Sequence, residues 1–288
     1  MPKGIAVDNR GRLKERAAMS DTNLLLTITV VVFFILYLYA IVFLGGSFAK
    51  PQNFLNILNN NASLIVLSCG MSIVMITGGI DISVGGVTCL VCMVSAVNLE
   101  RQGGNLFTVI LIGLGIGLAF GVVQGFLVAH LGIQPFIISL AGMFFAKGMT
   151  TIVSKEPVRV TNEAFLAVKD TRVTVPGLGS YNKLNQYIPA YVEVGVIIAL
   201  VVVVLLFCLL RWTRLGRAFY AVGGNNQSAN MLGINVRRTK FLAHVLCSLL
   251  AGLGGILYFL HVGSGDVANA AGDEMNAIAS SIIGGTLL

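Results

Sequence analysis

The sequence predicts an all-α, polytopic transmembrane bundle with broken or half-length helices, built as two repeated halves. Three observations carry this. The 288 residues are 56% hydrophobic and only 11% charged, with mean hydropathy +0.87. A soluble domain carries about 25% charged residues. Residues 22–49, 102–146, 194–210 and 241–265 contain no Asp, Glu, Lys or Arg. Runs of that length cross ~30 Å of hydrocarbon at ~1.5 Å per residue, and their continuity argues against an alternating β-barrel pattern. Finally, a Gly-rich stretch, Thr77-Gly-Gly-Ile-Asp-Ile-Ser-Val-Gly-Gly86, interrupts an apolar region with one acid. Apolar segments broken by glycine and a polar centre mark solute paths in membranes.

The net charge is +7. Its basic residues gather at predicted helix ends, so the positive-inside rule explains them, and no basic face interleaved with aromatics suggests nucleic acid. Residues 1–23 are polar and mixed in charge. They read as a cytoplasmic tail, because the apolar run that follows is too long for a signal peptide's core.

The spans follow in order. The first covers about Leu24–Leu44, and Gly45-Gly46 with Lys50-Pro51 end it. The second is expected from Asn59-Asn-Asn61 to Thr77, and a short third from Val84 to Leu99. The fourth, about Leu106–His130, carries Gly113, Gly115, Gly117, Gly121 and Gly125, small residues at spacings near four that let helix backbones approach in lipid. Gln134-Pro135 opens a fifth to Val153, with Lys147 snorkelling to the interface. Residues 154–188 read as an external loop with a short helix. A sixth span covers Pro189–Leu210, and a seventh Phe241–Val262. From Asp273 an eighth apolar segment begins; Ile278–Leu288 is too short to cross, which reads as a half-helix or a truncated span. Residues 24–288 thus form one membrane domain. With the N-terminus inside, residues 211–240 return to the cytoplasm with six Lys/Arg and no acid.

Asp81 is the only Asp, Glu, Lys or Arg between Lys50 and Glu100. A charge at membrane depth costs roughly 2.5–3.5 kcal/mol on insertion scales, which points to function. Two roles are open: Asp81 and Ser83 line a polar path, or Asp81 caps a half-helix starting near Ile82. Gly78, Gly79 and Gly85 supply the break, and Asn61 and Gln124 are the other polar candidates. A second candidate site is Gly223-Gly-Asn-Asn-Gln-Ser-Ala-Asn-Met-Leu-Gly233. Asn225 or Asn226 caps a short helix there and Gly233 ends it, so Gly223, Gly224, Ser228 and Ala229 would face a partner; an ordinary solvated loop is the alternative. The five cysteines, including Cys89-x-x-Cys92, sit in apolar segments as packing residues, and His130, His244 and His261 read as interfacial. No metal site and no G-x-x-x-x-G-K-[ST] phosphate loop is present, so ATP and Mg²⁺ would belong to another subunit.

Thr77-Gly-Gly-Ile-Asp-Ile-Ser-Val-Gly85, Pro135-Phe-Ile-Ile-Ser-Leu-Ala-Gly-Met-Phe-Phe145, Tyr220–Asn235 and Ala277–Leu288 together resemble the permease subunits of simple-sugar ABC importers, the ribose/xylose/galactose type. Leu140–Phe145 and Ser228–Gly233 look most like the galactofuranose-type permeases. The resemblance covers about residues 55–288. It implies a non-enzymatic transport subunit of a bacterial inner membrane, paired with a second permease copy or homologue. A cytoplasmic ABC ATPase would dock on the coupling region Asn225–Leu232, and an external sugar-binding protein would deliver solute. It also implies roughly two further spans after Gly-Gly-Thr. A permease for another small solute, such as a branched-chain amino acid, and an ion-coupled secondary transporter are the alternatives. The latter commonly buries several ionisable groups, and Asp81 is the one clear case here. A possible internal repeat pairs Gly78-Gly79-Ile80-Asp81 with Gly284-Gly285-Thr286-Leu287.

Overall fold

The computed structural model describes residues 21–44, 48, 50–181 and 186–286. Most of the expected tail, the Gly45-Gly46 break, Lys183 and the final Leu287-Leu288 lie outside the described residues. Seven described helices are long and apolar enough to cross a membrane.

α1 (Asp21–Leu44) lies at the periphery, meeting α2 through Tyr37 on Phe54, 6.1 Å between rings, and also touching α11. α2 (Pro51–Ile76) starts eight residues before Asn59, with Pro51 in its first turn. The expected start at Asn59 is therefore wrong, and the polar residues have another use. Gln52 holds the backbone of Tyr191 from both sides, and Asn59 accepts from the Glu193 amide at 3.0 Å. α3 (Ser83–Arg101), α4 (Leu106–Ala129) and α5 (Pro135–Val153) follow. The Asn105 side chain and Thr108 cap α4 reciprocally.

The 154–193 region holds more order than a loop. β1 (Val158–Arg159) precedes α6 (Glu163–Lys169), the expected short helix. β2 (Arg172–Tyr181) and β3 (Tyr187–Glu193) then form an antiparallel hairpin, irregular between Thr174 and Gly179. The sixth span begins at Val194 rather than Pro189. The α2 side chains Gln52 and Asn59 hold residues 191–193 extended, which delays the helix. α7 (Val194–Trp212), α8 (Arg214–Gly224), α9 (Asn226–Met231) and α10 (Val236–Val262) complete the central run. β4 (Ser264–Gly265) pairs with β1. α11 (Asp273–Ile283) is the expected half-helix.

α10 is the axis of the bundle. Leu67, Met71 and Val74 of α2, Val87 and Val91 of α3, and Cys247 and Ala251 of α10 form one fully buried cluster. α4 meets α10 largely main chain to main chain, with the Ile256 side chain filling the space over Gly113. A Cβ added at Gly117 would strike the Ser248 carbonyl, and one at Gly252 the Gly113 carbonyl. Gly121 faces Val245, and Gly125 faces Phe241 at 2.9 Å. The spacing of four is thus a backbone-to-backbone seam, where close approach replaces the hydrophobic drive that lipid removes. Gly252→Leu forces this seam apart and costs about 3 kcal/mol or more. We expect a large fall in the thermal unfolding midpoint in detergent. Gly115, with nothing within 4 Å of an added Cβ, tolerates the same change. Equal midpoints for the two variants would refute the seam.

His244 is buried at 2% exposure, with Nδ1 3.0 Å from the Lys240 carbonyl. The interfacial reading of that residue is corrected, because its position on α10 turns it toward α4 beside Gly125. His261 joins Glu193 at 2.7 Å, linking α10 to the hairpin end of α7.

Candidate functional site in the broken segment between α2 and α3

α2 and α3 run in opposite directions along α10. Ser63 Oγ donates to the Gly254 carbonyl at 2.8 Å, and seven residues later Gly70 faces Cys247. On α3 the order reverses: Thr88 donates to Ala251 and Cys92 to Gly255. α2 therefore descends past the middle of α10. The chain turns at Thr77–Ile82, and α3 begins about halfway along.

The turn has a clear cause. Gly78, at φ +79°, donates to the Met75 carbonyl at 2.9 Å, and Gly79 donates to Val74 at 3.0 Å. That is a Schellman termination, which needs a left-handed residue and so favours glycine. Gly79 then passes between Val74 and Pro135, where a Cβ would lie 3.0 Å from the valine.

Asp81 is fully buried. Its Oδ1 accepts from the Ser83 amide at 3.0 Å and the Ser83 hydroxyl at 2.6 Å; Oδ2 accepts from Ser248 at 3.4 Å. Ser248 stands 12 residues after the start of α10 and 14 before its end. Gln124 of α4 donates to Ser83 Oγ at 2.9 Å. Its amide rests against Gly142 of α5, where any Cβ would collide with it. The carboxylate thus ties α3 to α10, and Ser83 extends the cluster through Gln124 of α4 to Gly142 of α5. Of the two roles left open for Asp81, the cap-like contact is the one seen here. It satisfies the first turn of α3 as a cap does, and it sits in a buried polar cluster beside the middle of α10.

Gln124 joins this cluster; Asn61 does not. Asn61 bonds back to the Ile57 carbonyl on its own helix at 2.8 Å. Gly85 faces a different partner: an added Cβ would strike Glu274 of α11. Glu274 is 8% exposed, and its Oε1 lies 3.8 Å from Lys147 Nζ. Lys147, read as a snorkelling lysine, stays partly exposed but has an acid beside its ammonium. Asp81 is not the one buried ionisable group of the bundle. Sequence reasoning missed Ser248, Gly142, Lys147 and Glu274. The available signal was the Asp273-Glu274 pair heading an otherwise apolar segment.

The second candidate region forms the short helix α9. Asn225 caps it, accepting from the Ser228 amide at 2.9 Å, and Gly233 ends it at φ +79°. Ala229, expected to face a partner, is instead 1% exposed and seats the helix, whereas Met231 and Leu232 are 88% and 78% exposed. Gly223 and Gly224 differ. A Cβ on Gly223 would hit the carbonyl of Ile76, the last residue of α2; Gly224 has open space. The end of α8 thus presses on the chain just before the break. Among the described residues no His/Cys/Asp/Glu group could hold a metal ion.

Comparison with known proteins matches residues 53–287 to the family described as the permease component of branched-chain amino acid transport systems. The chain is similar to the inner membrane ABC transporter permease protein YjfF of Escherichia coli (strain K12). That similarity is 36% identity, over 94% of this chain and 78% of the relative. It is 32% identical to the fructose import permease protein FruG of Bifidobacterium longum (strain NCC 2705), over 98% and 82%. It is 33% identical to the galactofuranose transporter permease protein YtfT of Escherichia coli (strain K12), over 84% and 65%. No solved structure matches.

Proposed function

We propose that this chain, which belongs to the family of ABC-importer permease components, forms one membrane half of an ATP-driven importer for a simple sugar. The Asp81–Ser83–Gln124–Ser248 cluster carries the reading. It places hydroxyl-compatible groups halfway along the central helix, at the point where a spanning segment is broken. Polar residues at such depth mark solute pathways. The relatives named for fructose and galactofuranose support a sugar as solute.

The partners follow from the surface chemistry. The α8–α9 end carries Arg211, Arg214, Arg217, Arg237, Arg238 and Lys240, so it faces the cytoplasm with the N-terminus. Met231 and Leu232 project there and would enter a groove on an ABC ATPase, which supplies ATP and Mg²⁺. The β2–β3 hairpin would then face outward, toward a sugar-binding delivery protein. A second permease, identical or homologous, would complete the path.

A branched-chain amino acid is the alternative solute, favoured by the description of the matched family. The test is uptake of labelled sugar into proteoliposomes holding the permease, its ATPase and its binding protein. Unlabelled fructose, galactose or ribose should compete and leucine should not. Competition by leucine alone would overturn the sugar reading.

A further inference from the structure

Glu274 occupies the first turn of α11, where a carboxylate is favoured by the positive end of the helix. Its two oxygens are unequal. Oε1 faces Lys147 of α5 at 3.8 Å, beyond hydrogen-bond distance. Oε2 is buried against Gly85 of α3 with no hydrogen-bond partner. A buried acid that is half satisfied is in a strained position, and it gains by moving toward its cation or toward water. The element that bears it is short. α11 spans 11 residues and packs on α2 and α3. Its other side-chain ties are hydroxyls, with Ser281 donating to the Ser68 carbonyl and accepting from Ser72, both at 3.1 Å. The segment before it descends along α3, where Cys89 donates to the Asp266 carbonyl.

We propose that Lys147 and Glu274 form a releasable tether that seats the half-helix α11 against Gly85 in this state and lets it go in another state of the transport cycle. The tether rests on the reading of this chain as an importer permease. Gly85 is the seat because any side chain there would unseat the acid. Lys147 and Glu274 are positioning residues: they set where α11 stands and need not touch solute.

The test uses the complete importer in proteoliposomes. Glu274→Gln and Lys147→Met should each lower uptake at least tenfold. The exchanged pair, Lys147→Glu with Glu274→Lys, should restore it to within threefold of the parent. Wild-type uptake in both single variants, or an exchanged pair no better than either, overturns the tether. A second measurement decides where a variant fails to fold. Lys147→Cys with Glu274→Cys, in a Cys89→Ala background, is oxidised with and without vanadate-trapped nucleotide. Disulfide yield should differ at least fivefold between the two states, and equal yields overturn the proposal. The two readings fail separately: a parent importer that moves no sugar sinks the solute assignment, while the cross-link ratio alone judges the tether.

Discussion

Asp81→Ala should abolish uptake while the protein still inserts and binds its ATPase. The substitution strands the buried Ser83 amide and Ser248 hydroxyl and leaves the Ser83 hydroxyl only Gln124 as a partner. Losing hydrogen bonds to a charged acceptor costs roughly 3 kcal/mol, about a hundredfold in the equilibrium they govern. That cost falls on the start of α3 and on its junction with α10. The scaffold itself rests on the apolar cluster around Leu67 and Cys247 and on the α4–α10 seam, neither of which contains the acid. Asp81→Asn keeps one acceptor oxygen and should retain an intermediate rate. Uptake in vesicles, normalised to membrane-inserted protein, measures both. Parent-like rates in the alanine variant would show that the cluster has no part in transport.

Gly223→Leu should uncouple the motor from the path. The α8 glycine lies on the Ile76 carbonyl, and the next residue, Thr77, opens the break that holds Asp81. A push on α9 therefore reaches the break through a backbone contact with no flexible side chain to absorb it. A leucine there overpacks the contact, at about 1–3 kcal/mol, and changes where α2 ends. Uptake should fall at least tenfold while ATP hydrolysis persists. Gly224→Leu, one residue on in open space, should leave the ratio of sugar moved to ATP consumed near that of the parent. If the two substitutions behave alike, the contact transmits nothing.

The membrane helices were legible because charge-free runs and proline or glycine stops are local signals. Helices α3, α4 and α5 fall within two residues of their expected bounds, while α10 begins at Val236, five residues before the expected Phe241. The half-helix α11 and the cap of α9 by Asn225 were legible for the same reason. The misses are long-range. Nothing near Pro189 says that Gln52, 139 residues away, holds Tyr191 extended. Asn59–Asn61 resembled a helix start because polar runs usually mark ends, whereas here Asn59 holds the end of the hairpin and Asn61 bonds back to its own helix. Lys147 resembled an interfacial lysine until the chain 127 residues later brought an acid to it. In the site, Asp81, Ser83 and Gln124 were visible as rare polar residues in apolar segments. Ser248 and Gly142 were not, since a serine or glycine in a membrane helix is ordinary and acquires meaning only from its neighbour.

The glycine seam between α4 and α10 has a mechanical consequence. Interlocked main chains resist sliding, because each step must lift a glycine over the bulk beside it, a full 5.4 Å turn at a time. This pair therefore behaves as a keel, rigid through the pumping stroke. Displacement is left to surfaces whose bonds exchange cheaply, chiefly the serine-lined contact of α11 with α2. Spin labels on α4 and α10 should keep one separation whatever nucleotide is bound, while labels on α2 and α11 should report two.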